Sequence, residues 1–283
     1  MMMKFTVPDE TEQITVKQFL RKNCEMSART LAKLKRCENG IMLGEKQMRS
    51  IDLLHGGDVL QINLPGDNVH IEPSETAVPV AYEDSSVIIF DKPPGMTVHP
   101  VHEYRDNTLA NAAAYHMRKM GESYSFRPVS RLDKDTSGLV LCAKNRYAAA
   151  FLPSHNQKKY KALCHGRLEG SAVIDKPLRI KEGHTIQREI GEDGQRAVTH
   201  YRVLKNYGEE YSLLELWLET GRTHQIRAHL AGIGHPLAGD DMYGGSREKF
   251  PRQCLHCCAV TFTHPETAKE ITVSSDIDFL ISD

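Results

Sequence analysis

The sequence predicts an α+β protein with two domains, and three observations support this prediction. The chain has 283 residues and 40% hydrophobic content, enough for a packed core and more than the roughly 100–200 residues of a typical single domain. Short strand-like runs occur together with a few helical patterns. One stretch near the N-terminus is strongly basic, although the formal charge of the whole chain is only −1.

The composition excludes several classes of protein. No segment approaches the ~18 consecutive apolar residues of a membrane span, and residues 1–10 lack the apolar run of a secretion signal. The seven cysteines are an odd number scattered along the chain, which is not typical of a disulfide framework. We therefore expect a cytoplasmic, monomeric protein with reduced thiols and no membrane contact.

The first domain, residues 1–64, is predicted to be a small basic module. Between Ile14 and Arg49 there are nine basic and three acidic residues, a net charge of +6. The apolar spacing indicates two short helices, the second capped by Ser27 and ended before Gly40. Strand and turn chemistry follows, ending with the run Val59–Leu64.

The second predicted helix carries a short cationic stripe. Arg29, Lys33 and Arg36 lie at positions i, i+4 and i+7, opposite the apolar face. Phosphate is the natural complement of such a stripe. A solvated helix face explains the same charge pattern, so charge alone leaves both interpretations open.

Residues 65–78 are rich in turn formers and poor in large apolar side chains, which indicates a linker before a second domain at 79–283. This domain begins with a short buried-strand run, Val87–Phe90. A proline-rich turn follows and holds Lys92 at the end of the strand. Thr108–Met120 has the pattern of a capped helix.

A polar loop with two carboxylates leads directly into a strand. Leu139–Ala143 is apolar without alternation, which predicts a strand buried on both faces, with the loop at its mouth. Asp133 and Asp135 lie in this loop. In an extended backbone Arg131 and Asp133 project to the same side. Taken alone, an Arg-x-Asp pair is most often a structural ion pair.

A tyrosine flanked by lysines occurs in the next predicted strand, which runs from Lys158 to Gly166. Tyr160 is suited to act as an aromatic platform, with Lys158 and Lys159 as phosphate contacts beside it. Packing of the tyrosine in the core is the alternative interpretation.

A strand-to-helix turn carries the next group of polar residues. Thr223 is predicted to cap the helix, and Arg222 lies at its start, where the positive potential of a helix N-terminus suits a carboxylate or phosphate. The predicted buried face comprises Ile226, Leu230 and Ile233.

A metal hydrolase is the main competing function. Cys254 and Cys257 have C-x-x-C spacing, but no second pair follows them. His224 and His229 are five residues apart, whereas one helical face needs three or four. Small thiols packed in a strand explain the cysteines, so we predict no metal site.

Three segments together resemble the RluA/RluD-type pseudouridine synthases from about Pro79 to Asp283. They read "KPPGMTVHP", "RLDKDTSGLVLCAKN" with "KKYKALCHGRL", and "LETGRTHQIRAHLAGIGHPLAGDDMYG". The N-terminal module resembles the RNA-binding module of ribosomal small-subunit protein four, with Leu43-Gly44-Glu45 in place of the usual Val-Asn-Gly turn. A further departure is Ser130, where the synthases commonly have His.

The resemblance implies a mixed, mostly antiparallel central sheet and an RNA isomerase that needs no cofactor. It implies that Asp133 is the nucleophile, Tyr160 the active-site tyrosine and Arg222 the ion-pair partner of the aspartate. Arg131 matches the arginine that displaces the target nucleotide. The remaining candidate RNA contacts are Lys92, Lys158, Lys159, Arg227 and the stripe Arg29, Lys33 and Arg36.

The appended module favours ribosomal RNA as the substrate, with transfer RNA as an alternative. A catalytically inactive RNA-binding protein is the alternative from a different functional class. Retention of Asp133, Tyr160 and Arg222 together argues against it. The resemblance leaves open whether the carboxylate adds to the base or acts at the ribose.

Overall fold

The computed structural model describes residues 2–64, 71–100 and 106–279. The predicted linker at 65–78 lies partly outside these residues, as does the C-terminal end of the predicted second domain. Within the described ranges, no helix is both long enough and apolar enough to cross a membrane.

The N-terminal region contains a small four-stranded sheet, a pair of short strands and short helices. Its elements are β1 (Met2–Thr6), β2 (Ile14–Thr15), α1 (Val16–Gln18) with a π-helical continuation (Phe19–Asn23), α2 (Ala28–Leu34), β3 (Ile41–Leu43), β4 (Lys46–Gln47), β5 (Leu53–Leu54) and β6 (Val59–Asn63). The sheet order is β1-β6-β3-β4, and β2 pairs with β5.

The predicted cap of the second helix is confirmed, but its length is not. The side chain of Ser27 accepts a hydrogen bond from the backbone N–H of Thr30 and begins α2. The helix ends at Leu34, so Arg36 lies in the following turn and the cationic stripe is only partly helical. Arg29 and Arg36 are exposed, and Lys33 is half-buried.

The second region is larger and follows a different pattern, with long strands and three α-helices among the described residues. Its first elements are β7 (Val80–Glu83), β8 (Val87–Lys92), α3 (Leu109–Met120), β9 (Arg127–Pro128), β10 (Ser137–Ala143), α4 (Arg146–Phe151) with a 3₁₀ turn (Leu152–Ser154) and β11 (Asn156–His165). The remaining ones are β12 (Ser171–Asp175), β13 (Leu178–Ile180), β14 (Arg188–Ile190), β15 (Val198–Tyr207), β16 (Tyr211–Leu218), α5 (Gln225–Gly232), a 3₁₀ turn (Asp241–Tyr243), β17 (Leu255–Thr263) and β18 (Glu270–Ser274).

A ten-stranded sheet forms the centre of this region. Its order is β12-β15-β16-β11-β17-β10-β8-β7, with β18 beside β17 and β9 beside β10. The β10–β17 pairing is parallel, whereas the other described pairings in this sheet are antiparallel. The predicted α+β fold with a mixed, mostly antiparallel central sheet is therefore confirmed.

The strand β10 places the polar loop at the centre of the molecule. All seven of its residues are buried, as its uninterrupted apolar run predicts. Gly138 lies opposite Cys257 of β17 with φ of +107°, and a Cβ atom there would lie 2.3 Å from the Cys257 carbonyl oxygen. The close approach of the two strands thus requires glycine just after the loop.

A residue of the second region packs in the hydrophobic core of the first. Tyr147 of α4 is 2% exposed and belongs to the N-terminal cluster, where its ring meets Phe5 edge to face at 5.2 Å. Its hydroxyl donates to the carbonyl of Pro265, and the backbone N–H of Lys4 donates to Glu266. The second region therefore supplies an aromatic residue that completes the packing of the first.

Candidate active site

A cavity of about 720 Å³ lies at the mouth of β10. Asp133 and Arg131 line it from the polar loop, Lys158 and Tyr160 from β11, and Arg222 from the turn after β16. These five predicted site residues therefore meet around one opening, although they come from three separate segments of the chain.

The polar loop is held by two cations that bind its backbone, Lys92 and Arg252. Lys92 is fully buried, and its Nζ donates to the carbonyls of Pro93, Met96 and Lys134 at 2.8–3.0 Å. Burial lowers the pKa of Lys92 to about 8. Because its three N–H groups are used internally, the predicted phosphate contact of Lys92 is wrong.

Arg252 supports the other end of the loop. It donates to the carbonyl of Asp135 at 3.0 Å and to the hydroxyl of Ser137 at 3.1 Å. The neighbouring Gln253 donates to the hydroxyl of Thr136 at 3.0 Å. Sequence reasoning missed both residues, because they lie more than a hundred positions from the loop and no local pattern marks them.

Asp133 forms an ion pair with Arg227. Arg227 Nη1 lies 3.1 Å from Asp133 Oδ2, while Nε and Nη2 bind the two oxygens of Asp240 at 2.7 and 2.8 Å. Asp240 is 1% exposed and Arg227 is 5% exposed. One guanidinium is thus shared by two carboxylates, and the fully buried one fixes its orientation.

The predicted partner of Asp133, Arg222, is in a different position. It is exposed, and its Nε donates to the carbonyl of Arg196 at 3.1 Å. The prediction of an Asp133–Arg222 ion pair is therefore wrong, and so is the prediction that Arg227 contacts phosphate, because Arg227 is buried between two carboxylates. The first turn of α5 projects Arg227 inward, whereas Arg222 precedes the helix.

The start of α5 is also different from the prediction. His224, in a left-handed conformation with φ of 54°, precedes the helix, so Thr223 is not its cap. The side chain of Gln225 instead binds the backbone N–H of Arg222 and the hydroxyl of Thr220. A positive φ at a non-glycine residue costs energy, and this turn lies beside Asp133.

His224 and Tyr243 form a second contact group behind Asp133. The Nδ1 of His224 lies 3.1 Å from the hydroxyl of Tyr243, which also accepts the backbone N–H of Arg188 at 2.8 Å. The Nε2 of His224 lies 3.8 Å from Asp133 Oδ2. Burial lowers the pKa of His224, so the imidazole is neutral at pH 7.

Both contacts therefore reach the same carboxylate oxygen. Arg227 and His224 approach Asp133 Oδ2, whereas Oδ1 accepts no hydrogen bond from the described residues. The Asp133 side chain is 28% exposed. The carboxylate is fixed on one side and accessible on the other.

Tyr160 lies on the wall of the cavity with only 7% of its surface exposed. Burial raises the pKa of its phenol well above the ordinary value, so the hydroxyl stays protonated. A register shift in the β11–β17 pairing occurs between Lys159 and Tyr160. The ring thereby combines core packing with a surface facing the cavity.

The remaining cationic residues of the predicted site differ in their exposure and in whether they line the cavity. They are Lys158, Lys159 and Arg131. Lys158 is half-buried beside Tyr160, whereas Lys159 is exposed, does not line the cavity and lies 3.6 Å from Glu215. Alternate residues of a strand face opposite sides, so Lys159 lies away from the cavity, and its contact with phosphate stays a prediction. Arg131 is exposed and lines the cavity.

The cysteines and histidines suggested as metal ligands have other contacts. Burial raises the pKa of both Cys254 and Cys257 to about 12, which keeps these thiols protonated. The imidazole of His229 contacts the Thr199 hydroxyl and the Lys176 carbonyl. Across 2–64, 71–100 and 106–279, no group of three or more His, Cys, Asp or Glu side chains is placed to hold a metal ion.

Comparison with known proteins adds independent information. Residues 86–232 match the family described as RNA pseudouridylate synthase. The chain is 40% identical over 227 residues to an uncharacterized RNA pseudouridine synthase of Bacillus subtilis, covering 74% of this chain and 75% of the relative. It is 37% identical over 228 residues to the ribosomal large subunit pseudouridine synthase D of Zymomonas mobilis, covering 74% of this chain and 72% of that relative. The solved structure of human RNA pseudouridylate synthase domain containing 1 is similar with a TM-score of 0.60 and 26% identity, covering 73% of this chain and 86% of that one.

Proposed function

Because this chain belongs to the RluA/RluD-type family of RNA pseudouridine synthases, we propose that it isomerises a specific uridine of ribosomal RNA, with Asp133 as the nucleophile. The observation that carries the proposal is the arrangement of hydrogen bonds around the Asp133 carboxylate. One carboxylate oxygen is held by a buried arginine, the other accepts no hydrogen bond from the described residues, and Asp133 lines a cavity together with Tyr160.

The geometry supports base flipping as the way in which the uridine reaches Asp133. A base inside an RNA helix is inaccessible and must leave its stack, at a cost of roughly a few kcal/mol. The wall formed by Tyr160 offers an aromatic surface for the extruded uracil. Arg131, exposed at the mouth of the cavity, fills the space that the base leaves.

Arg227 binds one oxygen of the Asp133 carboxylate and leaves the other available for the reaction. Its guanidinium contacts Oδ2 of Asp133, and its hydrogen bonds to Asp240 prevent it from turning toward Oδ1. The isomerisation breaks the bond between ribose C1′ and base N1 and forms the bond from C1′ to C5. A proton leaves C5 and one is gained at N1, so the atoms balance. The Asp133 carboxylate begins the reaction by attack on the base or by action at the ribose.

The N-terminal region, residues 1–64, supplies affinity for structured RNA in this proposal, and residues 79–283 perform the chemistry. Exposed Arg29 and Arg36 offer positive charge to the phosphate backbone. A relative that is 37% identical is named as acting on the ribosomal large subunit. These two points favour ribosomal over transfer RNA.

The test maps pseudouridine across total RNA from cells with and without the protein, and then from cells that carry Asp133→Asn or Asp135→Asn. Asparagine keeps the size of the side chain but removes the anion, so Asp133→Asn should reduce turnover roughly 10³-fold or more while RNA binding persists. Asp135→Asn removes the same charge from the same loop and should be far milder.

Each result of this test has a defined consequence. A missing pseudouridine in transfer RNA would overturn the proposed substrate but not the reaction. Identical pseudouridine maps with and without the protein, or full activity of Asp133→Asn, would overturn the proposed reaction or its nucleophile.

A further inference from the structure

A second cavity, of about 400 Å³, adjoins the one that contains Asp133. The two share the wall formed by Gly221, Arg222 and Thr223. The other side of the second cavity is formed by the β13–β14 hairpin and the segment that follows it. The shared wall offers a path along which an RNA strand can continue when its target nucleotide enters the first cavity.

Two arginines in the second cavity have guanidinium nitrogens without protein partners. The Nη1 of Arg188 is buried and makes no hydrogen bond with the described part of the chain. The Nη1 and Nη2 of Arg222 likewise have no bond to a described residue, because its contact with the Arg196 carbonyl uses Nε. A buried guanidinium nitrogen without a partner among the described residues is costly, and an acceptor bound in this cavity would remove that cost.

The other charges in this cavity are already neutralised. Arg179 binds Glu189 and Asp193 at 2.9–3.0 Å, and Asp193 is the acid on the cavity wall. The wall therefore offers two available cations and no unpaired acid. An anion with several acceptor oxygens meets these requirements, and a phosphodiester is the anion that an RNA strand brings to this place.

We propose that Arg222 and Arg188 form a subsite for the phosphodiester next to the target uridine. The inference rests on the proposed function, because the RNA strand supplies the phosphate. It gives Arg222 a binding role in place of the ion pair with Asp133. The hairpin also contacts the catalytic centre, because the backbone N–H of Arg188 binds the Tyr243 hydroxyl that contacts His224. A phosphate held here fixes the backbone of the RNA strand while the uridine occupies the first cavity.

The experiment uses an RNA hairpin that carries the uridine found by pseudouridine mapping. Each phosphate near this uridine is replaced in turn by an uncharged methylphosphonate, and kcat/KM is measured for the wild-type protein, Arg222→Gln and Arg188→Gln. A methylphosphonate at one position beside the uridine should lower kcat/KM about tenfold for the wild-type protein. The same replacement should have little further effect in Arg222→Gln or Arg188→Gln. The slope of log affinity against log salt should fall by about 1 in each variant.

Arg202→Gln is the matched control. Arg202 is exposed, binds Glu215 at 3.0 Å and lines neither cavity, so its variant should show the wild-type methylphosphonate profile. If the loss of kcat/KM from the methylphosphonate and the loss from the arginine substitution simply add at every phosphate position, the proposed subsite is wrong. A wild-type protein that forms no pseudouridine in the unmodified hairpin would instead contradict the proposed function.

Discussion

The catalytic centre and the N-terminal region use positive charge in opposite ways. In the centre, Arg227 and Lys92 are buried and bound to specific acceptors. In the N-terminal region, Arg29 and Arg36 are exposed in a stretch of net charge +6. A buried cation acts through fixed geometry at short range, whereas an exposed one contributes to a field that salt screens. Substitutions in the centre should therefore change turnover, and substitutions in the N-terminal region should change affinity.

The largest effect in this comparison is expected from Arg227→Gln. It leaves two carboxylates without their shared cation, a disruption that typically costs about 3–5 kcal/mol, and turnover should fall about 100-fold or more. Asp240→Asn keeps the Asp133–Arg227 contact but frees the guanidinium to rotate, so we expect a loss nearer tenfold. Single-turnover rates at saturating RNA, with melting temperatures of each variant, measure this order. If both variants lost only a small and equal amount of turnover, the buried cations of the centre would not act through fixed geometry. The proposed difference between the two regions would then be wrong.

A smaller effect, and on a different quantity, is expected from the stripe. The triple variant Arg29→Gln, Lys33→Gln and Arg36→Gln should weaken RNA binding and flatten its salt dependence by about 2–3 units of slope. Its turnover at saturating RNA should match the wild type, because the stripe lies outside the catalytic centre. Binding isotherms at several salt concentrations test this, and an unchanged slope would show that the stripe is only a solvated face.

The smallest effect concerns pH and a buried histidine. Burial lowers the pKa of His229 below its ordinary value of 6.5, so the unfolded chain binds the proton more readily than the folded one. This contribution to stability is complete above pH 6.5 and is lost as pH falls below it. In His229→Gln, the fall in melting temperature between pH 7 and pH 5 should be smaller by roughly 2–4 °C. Parallel melting curves for both proteins across this range would contradict the prediction.

The elements and the approximate position of the site were predictable because they depend on local pattern. The uninterrupted apolar run of β10 predicts a central strand, and Ser27 predicts a helix start, since both signals lie within a few residues. The choice between Arg222 and Arg227 was not predictable in this way. It depends on a left-handed turn at His224 and on Asp240, which the chain brings back thirteen residues after Arg227.

Tyr147 is a second feature that the local sequence pattern could not predict, and it lies at the boundary between the two regions. Tyr147 belongs to α4 of the second region, yet its ring fills the core around Phe5. No signal near residue 147 indicates a partner at the opposite end of the sequence. The packing of the predicted module therefore depends on a residue of its neighbour, although the charge patterns of the two regions differ.

The parallel pairing of β10 with β17 sets the order in which the protein can mature. Ser137 and Gly138 pair with His256 and Cys257, and the Arg252 contact with the polar loop spans 117 residues. Contacts that close such long loops form slowly, and during synthesis they must wait until the later segment has been made. A nascent chain that ends before residue 250 already contains Asp133 but lacks the support that Arg252 gives to the polar loop. The arrangement of the candidate active site is therefore completed only after the last part of the chain has been made.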